Sequence, residues 1–596
     1  MIERMKKITI LVAEKDRDKF ISILRKLGVL HVKHVKAPMA HEIGFIEDKI
    51  ATMDTMISQL TPYAQKDKPD RRDITRERDV LNCAEPTEED CKEKQELKEK
   101  ADRIKKEMAW FSTWGSFDPR DLEKIKKAGA NLKLYQINKH DLKKIQKGQK
   151  YYILNKEKGF IYIAVIYVET EKELPFKEVF PPNKSLEEKT KDIEEVEEKI
   201  RGVTARLEER ARNLKPIKIC KEKLKKEHES LKVKFGMQEE EQFSYLQGFC
   251  PAKEVKKITD MAKHNKLGYL AEEPDKPEET PTLITNPRWI KIINPVFTFM
   301  STLPGYEEFD ISFYFLAFFS LFFAMLIGDA GYGCLFLVAT YIARRRLKQL
   351  PPEPFLLMYI LSIGTIIWGA ITGTWFGAER IAELPFFNSL IVEKIDSFAD
   401  SSQNFIIFIC FMIGAVQLTI AHLLRASKVI NSLKALSEIG WVMILWGMFF
   451  AAGKFVLGRL FPPFAGGLLI TGIGLVLLCS NPEEGILKGT LSTLAELPLR
   501  VISSFSDIVS YLRLFAVGYA TVVVAESFNN MALAGGVHTV IGGLVAALIL
   551  FFGHTLNIIL GCMAVIVHGI RLNMLEFSSH LGMEWSGKKY DPFCEK

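Results

Sequence analysis

Residues 501–525 read VISSFSDIVSYLRLFAVGYATVVVA, an apolar run of helix length with Asp507 and Arg513 inside it. About twenty apolar residues cross the ~30 Å hydrocarbon core of a bilayer, so this run is long enough to span one. An arginine at the centre of such a span costs at least ~2.5–3.5 kcal/mol and normally faces a partner or a water-filled cavity. Ser503, Ser506, Ser510 and Arg513 recur at 3-4-3 spacing and share one helical face. In the following apolar run, 540–572, Asn557, Gly561, Ala564, His568 and Arg571 do the same at 4-3-4-3 spacing. The two stripes, each ending in an arginine, read as the walls of one aqueous path. Plainer readings exist for most of their members. Serines in membrane helices also bond neighbouring helices, His568 can serve packing, and Arg571, near the end of its run, can snorkel to the headgroups. Arg513 lies about a dozen residues from either end of its run, where snorkelling does not account for it.

Outward from this pair, six more apolar segments precede it at 311–328, 331–343, 355–376, 404–424, 439–457 and 464–480, which with 501–525 and 540–572 makes eight. The first two meet at GDAGYG (328–333), a tight turn by composition. Positive residues cluster at Arg344, Arg345, Arg346 and Lys348, at Arg425, Lys428 and Lys434, at Lys488, and at Lys588 and Lys589, while the loop 377–403 is acidic. An even number of spans with positive loops inside places both termini in the cytosol. The stretch 533–567 holds no Asp, Glu, Lys or Arg, longer than a perpendicular crossing needs, so a tilted or shielded helix is expected.

The half before residue 310 is dense in Lys and Glu. Residues 8–13 (ITILVA) read as a buried strand, Phe20, Ile23, Leu24 and Leu27 as a helix face ended by Gly28, and 29–35 as a second strand. Ile43, Ile46, Ile50, Met53, Ile57 and Leu60 step by three and four, and Leu186, Ile193, Val196, Ile200, Val203, Leu207 and Leu214 follow heptad steps. These heptad seams near 43–60 and 186–214 predict a coiled coil. A charged helix around 97–111 and strands at 132–137, 151–154 and 160–168 lie between them, the last two strands joined by a turn at 155–159. Pro216 should break the second seam before 217–235 resumes as a basic helix. A strand, helix and strand follow at 243–249, 252–264 and 267–271. The expected fold is multi-domain: cytoplasmic α/β lobes joined by an antiparallel coiled-coil arm (1–290), a linker (291–310), an all-α polytopic membrane domain of eight helices (311–580) and a cytoplasmic tail (581–596).

Composition excludes several classes. With 80 Lys and Arg against 73 Asp and Glu the net charge is only +7, and a charged half joined to long apolar runs fits neither a soluble enzyme, a disordered chain nor an outer-membrane barrel. The nine cysteines are scattered without a C-x-x-C pair, so neither a metal site nor a disulfide framework is expected, and no cofactor. The N-terminal apolar stretch is too short for a signal peptide and reads as a strand. No G-x-x-x-x-G-K-[ST] occurs; at Gly453-Lys454 the first required glycine is Met448.

SYLRLFAVGYA (510–520) resembles the signature helix of the a-type membrane subunit of rotary V-type and A-type ATPases, called subunit I in bacteria. LRKLGVLHV (24–32), YLQGFCP (245–251), PTLITN (281–286), GDAGYG, GTWFGAE (373–379) and HGIRLNMLEF (568–577) resemble further landmarks of that family in the same order. Three positions depart from it. Ile311-Ser312 stand where the family often has Pro-Thr, Thr521 where eukaryotic members have a His, and Gly561 where they have a Glu.

The resemblance implies a stator of a rotary ATPase in a prokaryotic cell membrane. Arg513 and Arg571 would serve ion translocation beside a proteolipid c/K ring, with Ser503, Ser506, Asp507, Ser510, Glu526, His568 and Glu576 as half-channel residues. Ala516, Gly518 and Ala520 would give room for close ring contact. The arm would anchor peripheral-stalk subunits of the E and G type, and a central-stalk subunit would sit on the ring. ATP chemistry would reside in other subunits, the transported ion would be H⁺ or Na⁺, and no nucleic acid is involved. A secondary ion transporter or channel with a regulatory coiled coil is the alternative. It requires an internal repeat in the membrane half, which the sequence does not contain.

Overall fold

The computed structural model describes residues 1–38, 40–64, 77–138, 150–157, 159–167, 174, 176–240, 242–482, 486–534 and 539–595. Lys158 of the expected turn, Val168 of an expected strand, residues 535–538 of the long uncharged stretch and Lys596 of the expected tail lie outside them. The chain forms two compact units, one of residues 1–10, 27–32 and 247–592, the other of 11–26, 33–246 and 593–596.

The polar half runs β1 (Met5–Ala13), α1 (Arg17–Leu27), β2 (His31–Lys33), α2 (His41–Leu60), α3 (Ala84–Trp114), β3 (Asn131–Asn138), β4 (Tyr151–Glu157), β5 (Phe160–Tyr167), α4 (Leu186–Ala211), α5 (Leu214–Phe235), β6 (Gln238–Glu240), β7 (Phe243–Pro251), α6 (Val255–His264), β8 (Gly268–Glu272) and β9 (Pro281–Thr282). The strands flanking the expected lobe assemble in the order β2-β7-β1-β8, and β3, β5 and β4 form a separate antiparallel sheet.

The apolar seams become two antiparallel helix pairs. Ion pairs set their direction: Asp54 with Lys221 and Glu47 with His228 join α2 to α5, and Asp90 with Arg206 and Glu107 with Lys189 join α3 to α4. Residue numbers rise along one helix as they fall along the other. Ile46, Met53, Met56 and Leu60 of α2 pack with Val203, Leu207, Leu214, Ile217 and Leu224, while Ala101 and Ile104 meet Ile193 and Val196. Ser185 and Glu188 form a reciprocal capping box that starts α4. The break between α4 and α5 comes at 212–213, so Pro216 sits in the first turn of the new helix, where its missing N–H leaves no intrahelical bond unmade.

In the other half, α7 (Ser312–Ile327) and α8 (Ala330–Arg346) meet at a bend of 120°. Gly328 closes α7 with φ +67°, a left-handed conformation suited to glycine, and Asp329 caps α8. Then come α9 (Glu353–Thr372), α10 (Asp400–Lys428), α11 (Lys434–Leu457), α12 (Pro463–Cys479), α13 (Ile486–Ser510), α14 (Leu512–Ala534) and α15 (Val540–Ala564). Among the described residues five helices are long and apolar enough to cross a membrane, or six if the bent pair is one span; α12 is shorter. Lys488–Ala534 and Val540–Leu581 run 47 and 42 residues, about 60–70 Å at 1.5 Å per residue and far beyond one perpendicular crossing.

Within this unit the chain ends are tied to the middle. The Met1 amino group donates to Asn286 Oδ1 (2.6 Å), β9 pairs in parallel with β10 (Lys588–Lys589), and Tyr590 Oη donates to the Val29 carbonyl at 2.6 Å.

Candidate functional site

The helix carrying Arg513 is interrupted at Tyr511. There the backbone tightens to i→i−3 bonds, Tyr511 to Ile508 and Leu514 to Tyr511, at 3.2 and 3.0 Å. Arg513 Nε donates to the Ser510 carbonyl at 3.0 Å, and its Nη2 donates to the Glu576 carboxylate. Arg571 Nε lies 3.6 Å from the same oxygen, Glu576 Oε1. Both arginines therefore converge on one carboxylate that is 4 % exposed. Its other oxygen, Oε2, is buried without a hydrogen-bond partner among the described residues.

Beneath this pair runs a fully buried amide chain. Tyr511 Oη donates to Gln417 Oε1, Gln417 Nε2 donates to Asn573 Oδ1 (both 2.9 Å), and Asn573 Nδ2 donates to the Gly569 carbonyl at 3.3 Å. All three side chains are 0 % exposed. Satisfied polar groups in a dry interior hold a single arrangement, because breaking any link strands a partner. The chain thus locks α10, the turn at Tyr511 and the last helix into the register that brings Arg513 to Glu576.

That last helix departs from the regular periodicity. Val565–Gly569 and Leu572–Phe577 are π-helical. Each wider turn holds an extra residue and rotates the turns after it, so the stripe from Asn557 to Arg571 is not one continuous face. Asn557 and Gly561 are buried while Arg571 is half exposed, and Glu576 is the residue turned toward Arg513. Asn557 instead donates to Tyr332 Oη (3.0 Å) and to the Thr521 carbonyl (2.8 Å). His554 bridges Tyr332 Oη at 2.7 Å and Asn529 Oδ1 at 3.2 Å. Nearby, Asp329 accepts backbone N–H bonds from Gly331, Tyr332, Phe376 and Gly377 at 2.8–3.2 Å, joining the GDAGYG and GTWFGAE segments.

The other expected residues scatter. Ser503 and Ser506 are exposed and Ser510 half-buried. Asp507 bonds His580 Nε2 at 3.0 Å. Glu526 is half-buried, with its backbone against Gly377. His568 is half-buried, and its Nδ1 has no hydrogen-bond partner among the described residues. Gly518 does not lie on an open face: it is buried, and a Cβ there would come within 2.4 Å of the Met325 carbonyl oxygen. The glycine serves the close approach of α14 to α7. Ala516 and Ala520 are exposed as expected, and α15 presents Leu544, Leu548, Phe551, Phe552, Ile559 and Met563 outward.

The sequence reading passed over His422, Glu438, His580, Gln417 and Tyr332. His422 and Gln417 fall within 404–424, an apolar run taken whole as a span; a histidine inside a span is itself a signal.

No family model matches the chain. V-type ATP synthase subunit I of Borreliella burgdorferi is 31 % identical over 624 residues, covering 100 % of this chain and 99 % of that one. V-type ATP synthase subunit I 1 of Treponema pallidum is 26 % identical, with 100 % of both chains covered. A-type ATP synthase subunit I of Methanocaldococcus jannaschii is 27 % identical over 59 % of this chain and 54 % of its own. A crystal structure of the cytoplasmic N-terminal domain of subunit I, homolog of subunit a, of V-ATPase covers 45 % of this chain and 99 % of its own at 14 % identity. Its TM-score of 0.23 is too low to bear on the fold. The end-to-end match at 31 % identity carries the assignment: the chain belongs to the V-type ATP synthase subunit I family, membrane subunits of rotary ATPases.

Proposed function

We propose that this chain is the stator of its rotary ATPase, placing Arg513 against a ring of proteolipid subunits and lining the two half-channels by which an ion reaches and leaves that ring. Arg513 carries the reading: a permanently charged group twelve residues from either end of the apolar run 501–525, beside the outward small residues Ala516 and Ala520. A ring carboxylate facing lipid has to be neutral, because an isolated charge there is too costly. Opposite a guanidinium it can ionise and give up its ion. The fixed positive charge also bars a direct leak between the half-channels. Glu576 then serves as resident counter-ion, holding Arg513 aimed and yielding it when a ring carboxylate arrives. Arg571 offers the second charge on that carboxylate.

In this reading 311–580 crosses the membrane eight times, with α7 and α8 as two short passes and both termini in the cytosol of a prokaryotic cell. Residues 1–290 form the coiled-coil arm, which takes the E- and G-type peripheral stalks and resists torque. The central stalk turns with the ring, and 291–310 links arm to membrane. Ser503, Ser506, Asp507 and Ser510 hydrate one half-channel, and Glu526 and His568 stand by the other.

The test is ATP-driven ion transport by the assembled complex carrying Arg513→Ala. Transport falling below a tenth with subunit composition unchanged supports the stator. Undiminished coupled transport returns the transporter reading to first place.

A further inference from the structure

Four ionisable side chains outside the Arg513–Glu576 pair form one unbroken hydrogen-bonded line. Glu438 Oε2 meets His422 Nδ1 at 2.8 Å, His422 Nε2 meets His580 Nδ1 at 2.9 Å, and His580 Nε2 meets Asp507 Oδ2 at 3.0 Å. Arg425 Nε lies 3.1 Å from the second Glu438 oxygen, and Trp441 stacks on His422 at 6.3 Å and 10°. The two imidazoles are 6 % and 9 % exposed.

The number of protons along this line fixes its charge. Ionised carboxylates only accept, and a neutral imidazole carries one N–H. Three hydrogen bonds need three protons, and two neutral rings bring two. The intact line therefore holds one proton more than two neutral histidines and two carboxylates. With that proton and Arg425, the two carboxylate charges are balanced. The extra proton can reside on either ring, since moving it across the His422–His580 contact leaves every hydrogen bond in place.

Both ends open. A cleft of about 250 Å³ is lined by Glu438, Ser437, Lys434 and Glu496. One of about 300 Å³ is lined by Asp507, Ser503, Ser504 and Ser579, with edges of His422 and His580 in the same wall. Arg425 and Arg500 border both. The Asp507 end also stands next to the arginine site on two helices. His580 is one turn beyond Glu576, and Asp507 precedes Arg513 by six residues, about 9 Å along a helix.

We propose that Glu438, His422, His580 and Asp507 form a one-proton relay between these clefts, and that the ion this subunit passes is H⁺ rather than Na⁺. From the state in which both rings are neutral and carry their proton on Nε2, a proton taken up at the Glu438 end charges His422 and completes the line. The His422–His580 bond hands the charge on, and His580 releases its Nε2 proton toward Asp507; one proton enters and one leaves, both rings are left as Nδ1–H tautomers, and each returns to its Nε2–H form before the next proton passes. Hard cations take oxygen ligands, whereas here the middle of the path is imidazole nitrogen already engaged in hydrogen bonds.

The relay rests on the stator reading, and the experiment separates the two. The whole ATPase is reconstituted in liposomes. ATP-driven H⁺ uptake is followed with an internal pH dye and Na⁺ uptake with ²²Na⁺, for the unmutated complex, His422→Gln, His580→Gln and Arg513→Ala. The expected result is H⁺ uptake in Na⁺-free buffer, no ²²Na⁺ accumulation resistant to a protonophore, and H⁺ uptake below a tenth in both glutamine variants. Added imidazole should restore part of the rate in His580→Gln, whose site faces an open cleft; a merely structural role would not respond. Protonophore-resistant ²²Na⁺ uptake overturns the choice of ion, and full H⁺ uptake by His580→Gln overturns the relay. If His422→Gln does not assemble, His580→Gln decides. Transport surviving Arg513→Ala alone sinks the stator and leaves the relay standing.

Discussion

Arg513 and Glu576, 63 residues apart, pair inside the helical half of the protein, and Arg571 approaches the same carboxylate oxygen at 3.6 Å. A carboxylate 4 % exposed is not held by water. Removing one member of a buried pair leaves the other uncompensated, at about 3–5 kcal/mol. Arg513 is 23 % exposed and can rehydrate in part, so the expected cost of Glu576→Ala is nearer 1–3 kcal/mol. Glu576→Gln keeps an acceptor for Arg513 and should cost less in thermal stability than Glu576→Ala. Equal melting temperatures for the two variants in the purified complex would refute the pairing as a structural element.

The Tyr511–Gln417–Asn573 chain yields a separate expectation. Tyr511→Phe removes one hydroxyl of similar volume and strands Gln417 Oε1 in a fully buried site. A stranded buried acceptor costs about 1–3 kcal/mol. Coupled transport should fall with stability, because this chain positions Arg513. Unchanged melting and unchanged transport in Tyr511→Phe would mean that the amide chain does not govern the site.

The legibility of each element in the sequence depends on how local its causes are. The seam from Ile43 to Leu60 was legible because its periodicity is local and its partners are apolar. The bend at Gly328 was legible because only glycine takes φ +67° without strain. Arg513 stood out through the cost of a charge in an apolar run. Glu576 facing Arg513 was not legible as a pair, because two π-helical turns shift the phase of the last helix and no residue pattern announces them. Gly518 was misread for a related reason: a small residue looks the same whether it faces an outside partner or a neighbouring helix of its own chain. His422 and Glu438 lie 16 residues apart on consecutive helices, and their line to Asp507 exists only once four segments are packed.

The tail gives a pH-dependent expectation. Burial pushes the His31 imidazole below its ordinary value, against the opposing pull of the Asp591 carbonyl. His31 Nδ1 lies 3.1 Å from the Asp591 backbone nitrogen, whose N–H only an unprotonated Nδ1 can accept, and 3.0 Å from the Asp591 carbonyl, to which a protonated ring donates instead. A histidine whose pKa falls on folding costs nothing above its unfolded pKa of about 6.5, and the folded arrangement loses stability as pH drops below that. Protection of the Asp591 amide against hydrogen exchange should therefore be constant above about pH 7 and decline below about 6.5, after correction for the intrinsic exchange rate. A decline of the same size in His31→Gln would remove the histidine as its cause.

Gly518 and Ala516, two residues apart on α14, should respond in opposite ways. A Cβ at Gly518 would sit 2.4 Å from the Met325 carbonyl oxygen, so Gly518→Ala forces α14 and α7 apart. Overpacking of this kind costs about 1–3 kcal/mol, and it should lower the stability of the subunit by itself. Ala516 is exposed, so Ala516→Leu leaves the fold intact. If that face meets the ring, a larger side chain there obstructs close approach, and the purified complex should lose ring subunits or coupled transport while the melting of this chain stays put. The two variants thus divide packing within the chain from contact beyond it. A destabilised Ala516→Leu chain, or an Ala516→Leu complex that keeps its ring and pumps at the normal rate, would move the ring contact to another face.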